Sequence, residues 1–385
     1  MNPSGLSTKP FGLSKSTSGG LPQATRHLLF YCSRRTIPDA YAHELACGAC
    51  PVEPIKERLL RGIIESVIPI LLALPGFVFL LQGANFLIDG ASALAKRLGV
   101  STLVIGLTVV AFGTSMPELA VNLYACVQGC GDIAIGNIVG SNIANILLVL
   151  GAAAVIFPLN VKHGTVWREI PLALLAVIVL AFLVNDIALD GHEFSVLSRI
   201  DGWILLSYLA IFLYYAFLIR KVEAADPQTV PVPHLSMLRA WTLLGLGLLG
   251  LVIGGNWVVE GALAMTERFG ISQALIGTTL VAVGTSLPEL VTTVTAARRH
   301  DVDLAVGNAV GSNILNVFWV LGASAVVHPI GVSEELGIDI VFAAAATGLL
   351  FMMMFLGKRH TLERSQGVFF IVLYVAYLAY LLWRG

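Results

Sequence analysis

The sequence predicts an all-α integral membrane protein of ten transmembrane helices, arranged as two inverted five-helix repeats, and three observations carry that prediction. The first is composition. Of the 385 residues 57% are hydrophobic and 12% charged, with a mean hydropathy of +0.84, too apolar for a chain that must clothe a soluble core in polar side chains. The second is the recurrence of apolar runs of about 20 residues, the length that crosses a hydrocarbon core. The third is an internal repeat: GTSMPEL from Gly113 returns as GTSLPEL from Gly284, and GNIVGSNIANILLVLG from Gly136 returns as GNAVGSNILNVFWVLG from Gly307. A single offset serves throughout, because 289 − 118 and 307 − 136 both give 171.

Taken in order, residues 1–62 are rich in Ser, Gly, Pro and Arg, hold no long apolar run, and read as a disordered leader without the pattern of a secretory signal. Spans centred near Pro75, Val109, Leu148, Val177 and Leu209 form a first half over 63–221. A short cytoplasmic link, 222–236, leads to a second half over 237–385, with spans centred near Leu249, Val281, Val317, Ala346 and Val375. The repeat reaches back to GANFLIDGA from Gly83, whose match starts at Gly254 and sets Asn85 opposite Asn256 and Asp89 opposite Glu260. An offset of five crossings is odd, so the second copy enters the bilayer from the other side. Such inverted repeats place their binding site at the midplane, where the halves meet.

Basic residues sort between alternate loops. One side collects Lys96, Arg97, Lys162, Arg168, Arg220, Lys221, Arg239, Arg298, Arg299, Lys358, Arg359 and Arg364, and the other, leader excluded, only Arg199, Arg268 and Arg384. The positive-inside rule makes the first side cytoplasmic and puts both termini outside. Lys56, Arg58 and Arg61, just ahead of the first span, conflict with an outside N-terminus, and a translation start assigned too far upstream would reconcile the two.

The repeated motif puts two carboxylates, Glu118 and Glu289, inside the membrane. An acidic side chain at a helix centre costs roughly 2.5 to 3.5 kcal/mol on insertion scales, so a matched pair points to a substrate or ion site. Pro117 and Pro288 cannot donate to the carbonyls of Gly113 and Gly284, which frees backbone acceptors at membrane depth. Thr114 with Glu118, and Thr285 with Glu289, are spaced i and i+4 and project from one helix face. The next helix of each half offers Ser141 with Asn145, and Ser312 with Asn316, at the same spacing. Every one of these groups is an oxygen donor, which suits a hard cation such as calcium and leaves no sulfur or imidazole for zinc or copper.

Other features carry less. Cys47 and Cys50 make a single CxxC without a second pair, and a net charge of −1 gives no reason to expect nucleic acid. Glycines at 136, 140, 307 and 311 read as helix-packing positions. Asn137, Asn142, Asn308 and Asn313 fit either ion contact or hydrogen bonds that tie helices together, and Asp89 and Glu260 fit either a role or a surface position.

GLTVVAFGTSMPEL with GNIVGSNIANILLVLG, and GTTLVAVGTSLPEL with GNAVGSNILNVFWVLG, strongly resemble the two alpha repeats of the sodium/calcium exchanger family, within the cation/calcium antiporter superfamily. The resemblance runs from about Val67 to the C-terminus and is nearest the compact bacterial branch, since no large soluble loop separates the halves. It implies secondary antiport of calcium against sodium by alternating access, a protein of the bacterial inner membrane, and a monomer with no cofactor. It further implies that Glu118 and Glu289 are shared calcium and sodium ligands. Backbone carbonyls of Thr114 and Thr285 would complete the calcium site. The carbonyls of Ala111 and Ala282, with the side chains of Ser115, Ser286, Ser141 and Ser312, would serve flanking sodium sites. Asn145 and Asn316 fill the remaining central positions, and Asn316 departs from a common family pattern that has Asp there. That departure leaves two fixed charges at the centre, balanced by one calcium or two sodium ions, and leaves protons open as the alternative counter-ion. A non-transporting sensor or an ion channel is the alternative from another functional class.

Overall fold

The computed structural model describes residues 68–185, 195–223, 235–268, 284–333 and 335–384. The leader over 1–62, most of the link and Ala282 lie outside the described residues. Among the described residues the chain forms eleven helices: α1 (Ile68–Leu98), α2 (Thr102–Thr114), α3 (Met116–Val127), α4 (Gly131–Ile156), α5 (His163–Leu183), α6 (Arg199–Glu223), α7 (Met237–Arg268), α8 (Leu287–Arg298), α9 (Val302–Val327), α10 (Glu335–Met353) and α11 (Arg364–Arg384). Eight of them are long and apolar enough to cross a membrane alone, and α2 with α3 makes a ninth span bent by 44°. The span expected around Val281 begins outside the described residues and ends in α8.

The bend is written in the sequence. Ser115 leaves the helix at φ −83°, ψ 6°, and Pro117 follows as the second residue of α3, where a backbone N–H has no intrahelical partner and its loss is free. Ser286, at φ −83°, ψ 2°, and Pro288 repeat this at the start of α8.

α1 and α7 run antiparallel in backbone contact. Gly76 meets Gly254, Gly83 meets Gly247 and Leu251, and Gly90 meets Leu244; a Cβ on Gly83 would stand 2.8 Å from the Leu251 nitrogen. Small residues allow this approach, which dispersion alone can hold where lipid offers no hydrophobic drive. α9 crosses α2 in the same way, with Gly307 and Gly311 against the backbone of Leu103 and Leu107. α4 and α9 are the most enclosed spans. Leu74, Trp203 and Trp383 on α1, α6 and α11 are exposed and face outward.

Two short ladders close the ends of the bundle. β1 (Leu159–Asn160) pairs antiparallel with β4 (Thr361–Leu362), and β2 (Ser195–Leu197) with β3 (Ile330–Val332). The β1/β4 end gathers basic side chains that the sequence assigns to one side: Lys162 pairs with Asp303 at 2.6 Å, Arg299 bridges Asp89 and Asn85, and Arg97 donates to the Leu235 carbonyl. Asp89 is thus half of an ion pair joining α1 to the end of α8.

Candidate ion-binding site

Glu118 and Glu289 stand in the first turns of α3 and α8, just past Ser115 and Ser286, and are each 0% exposed. Glu118 Oε1 accepts from the Ser141 hydroxyl at 3.4 Å. Glu289 Oε1 accepts from Ser312 and from Ser115, each at 3.4 Å. The halves interlock here, since Ser115 reaches across to Glu289, while the Ser286 hydroxyl donates to Ser141 at 3.0 Å. Thr285 stands 3.5 Å from Ser141, and Thr114 stands 3.4 Å from Ser312, oxygen to oxygen. Glu118 Oε2 and Glu289 Oε2 are buried and have no hydrogen-bond partner in the protein. A buried carboxylate oxygen without a donor is costly unless a cation or proton compensates it.

Wide π turns begin at the two central asparagines, over Asn145–Val149 in α4 and Asn316–Leu321 in α9. Such turns concentrate at functional sites because they break the regular ladder and re-aim a side chain. Both asparagines are 0% exposed. Asn145 has neither polar side-chain atom bonded, and Asn316 Oδ1 is likewise unpartnered. The donor set is therefore carboxylate, hydroxyl and amide oxygen throughout, the chemistry of a hard-cation site.

The structure brings together Glu118, Glu289, Thr114, Thr285, Ser115, Ser286, Ser141, Ser312, Asn145 and Asn316, all at most 9% exposed. Ala111 lies beside them. Its oxygen accepts the Ser115 N–H at 3.0 Å and stands 3.4 Å from the Thr114 hydroxyl. The asparagines left open by the sequence are helix ties. Asn137 and Asn308 accept from Thr285 and Thr114, while Asn142 and Asn313 bond to each other's backbone. Sequence reasoning passed over Asn122 and Thr293, which are fully buried and carry these ties one step further; their matched positions, 171 apart, were the available signal.

Comparison with known proteins identifies the family. The family profile for sodium/calcium exchanger proteins matches residues 68–218 and 239–383, one stretch in each half. The sodium/calcium exchanger MaX1 of Methanosarcina acetivorans is 35% identical over 342 residues, covering 81% of this chain and 97% of its own. The inner membrane protein YrbG of Escherichia coli is 33% identical over 322 residues, covering 81% and 96%. Among solved structures, the sodium-calcium exchanger NCX_Mj, soaked with sodium and calcium, superposes with a TM-score of 0.69 at 32% identity, covering 82% of this chain and 98% of its own. With matches spanning both halves and nearly the full length of these relatives, the chain belongs to the sodium/calcium exchanger family.

Proposed function

We propose that this protein exchanges calcium for sodium across the membrane, by alternating access around a site shared by Glu118 and Glu289. The observation that carries the reading is the placing of two fully buried carboxylates, one from each half, each with an oxygen that no protein donor meets. Two negative charges are balanced by one calcium ion or by two sodium ions, so the same oxygens serve both cargoes in turn. Asn316 supports sodium over protons as the counter-ion, because an amide has no titratable group to carry a proton through the cycle.

The frame that makes this possible is a pair of inverted five-helix halves over 63–221 and 237–385, ten spans in all, joined by the link 222–236. A monomer suffices, since the site is completed within one chain. The basic loops support a β1/β4 end on the cytoplasmic side of the inner membrane, with both termini outside.

The test is calcium uptake into proteoliposomes with sodium and proton gradients imposed separately. Uptake driven by outward sodium alone is expected. Uptake driven only by a pH gradient would overturn the sodium reading in favour of proton coupling, and no coupled uptake under either gradient would overturn antiport itself.

A further inference from the structure

Each motif threonine is held by an asparagine of the opposite half, and the direction of every bond in that hold is fixed by a backbone carbonyl. In the first half Asn122 Nδ2 donates to the Ala134 carbonyl at 3.1 Å, and a carbonyl can only accept. Asn122 Oδ1 therefore faces Asn137 and accepts from its Nδ2 at 2.8 Å. That leaves Asn137 Oδ1 to accept from the Thr285 hydroxyl at 3.2 Å. In the second half Asn308 Nδ2 lies 3.4 Å from the Glu289 carbonyl and donates to Thr293 Oγ1 at 3.0 Å. Its Oδ1 accepts from the Thr114 hydroxyl at 3.1 Å, the nearest acceptor to that hydroxyl. Turning either amide over would set oxygen against oxygen in a site where water cannot repair the loss.

A hydroxyl carries one proton. Thr114 also neighbours the Ala111 carbonyl, the Ser312 hydroxyl and the Glu289 carboxyl group, and Thr285 the Ser141 hydroxyl and the Glu118 carboxyl group, so each threonine proton has several competing acceptors. On the carboxylate it would satisfy an oxygen that a cation needs. On the asparagine it leaves the threonine oxygen facing the carboxylate with lone pairs only, and two acceptors face each other stably when a cation lies between them.

We propose that Asn137 and Asn308 are positioning residues for cation binding. By accepting the hydroxyl protons of Thr285 and Thr114 across the interface between the halves, they hold the carboxylates open to the cation. The inference rests on the exchange reading above. It acts through the threonines, so its signature is dependence on them.

The experiment measures initial sodium-driven calcium flux against calcium concentration for Asn308→Leu, Thr114→Val, Thr114→Ser and the double variant Asn308→Leu/Thr114→Val, with Asn137→Leu as the matched change in the other half. Asn308→Leu should raise the half-saturating calcium concentration roughly ten-fold, one charge-assisted hydrogen bond's worth, with the maximal rate altered less than about three-fold. In the Thr114→Val background the asparagine change should add nothing, and Thr114→Ser should behave as the native protein. An unchanged half-saturating concentration in monodisperse Asn308→Leu, or a full further effect in the Thr114→Val background, overturns the proposal. If Asn308→Leu does not insert, Asn137→Leu decides; if neither inserts, equal behaviour of Thr114→Ser and Thr114→Val overturns it and a difference upholds it. Absence of sodium-driven flux in the native protein would refute the exchange reading, whereas native flux with an insensitive Asn308→Leu refutes only the positioning role.

Discussion

Asn142 and Asn313, 171 residues apart, each donate from the side-chain amide to the other's backbone carbonyl at 3.2 Å. The pseudo-twofold relation between the halves thus passes between one pair of buried residues where α4 meets α9. Around that pair the symmetry breaks. Asn316 Nδ2 donates to Asn142 Oδ1 at 3.1 Å, while Asn145, its counterpart, makes no such bond and Asn313 Oδ1 is unpartnered.

This asymmetry separates two otherwise equivalent substitutions. Asn313→Leu removes one bond to the Asn142 carbonyl, which keeps the Asn145 backbone N–H, whereas Asn142→Leu removes the matching bond to the Asn313 carbonyl and also strands the Asn316 amide. A stranded buried amide costs about 1–3 kcal/mol. Thermal unfolding in detergent should therefore place Asn142→Leu below Asn313→Leu, and equal midpoints would contradict the bond pattern.

Replacing either central carboxylate by its amide should abolish calcium flux in a protein that still folds. Glu118→Gln and Glu289→Gln keep shape while removing half of the central charge, and a lost charged contact alone is worth roughly ten-fold or more in binding. Flux in proteoliposomes is the measurement, paired with size-exclusion profiles. Near-native flux in either variant would remove the carboxylates from the site.

Glycine substitutions should sort by what the new methyl group meets. On Gly311 a Cβ stands 2.7 Å from the Leu107 Cα and 2.8 Å from its carbonyl oxygen, backbone that cannot turn aside. On Gly113 it stands 2.3 Å from Leu248 Cδ2, the end of a side chain that can. Gly311→Ala should cost at the upper end of the overpacking range of about 1–3 kcal/mol and Gly113→Ala at the lower end. Adding Leu248→Ala should relieve the second and not the first, read as unfolding midpoints.

Asn316→Asp tests the counter-ion argument. It puts a third carboxyl group, one that can bind and release a proton, beside two existing ones, so protons should compete with cations at low pH in the variant. Sodium-driven flux from pH 5.5 to 8.5 should fall more steeply toward acid in Asn316→Asp than in the native protein. Superimposable profiles would take Asn316 out of the coupling argument.

Much of this site was legible because it is a local pattern written twice. The proline two residues after Ser115 and Ser286 announced where α3 and α8 start, and the i, i+4 spacing of Ser141 with Asn145 announced that the two share a helix face, on which both are buried. What was not legible lies between the copies. Spacing along one helix says nothing about Thr114 finding Asn308, or Arg299 finding Asp89, across 194 and 210 residues. The π turns at Asn145 and Asn316 have no signature in residue propensity either, since they arise from how α4 and α9 pack.

The crossed bonds at the centre set a timetable for biogenesis. Ser141 and Thr114 leave the ribosome long before Thr285, Asn308 and Ser312, the partners supplied by the other half, with Thr114 waiting 198 residues for Ser312. At synthesis rates of about 5 to 20 residues per second that interval is on the order of ten to forty seconds. Throughout it, a helix bearing a carboxyl group sits in the bilayer with its polar face incomplete. The first half is a natural client for whatever holds nascent membrane segments, and a chain truncated before α9 has a ready-made mark for disposal.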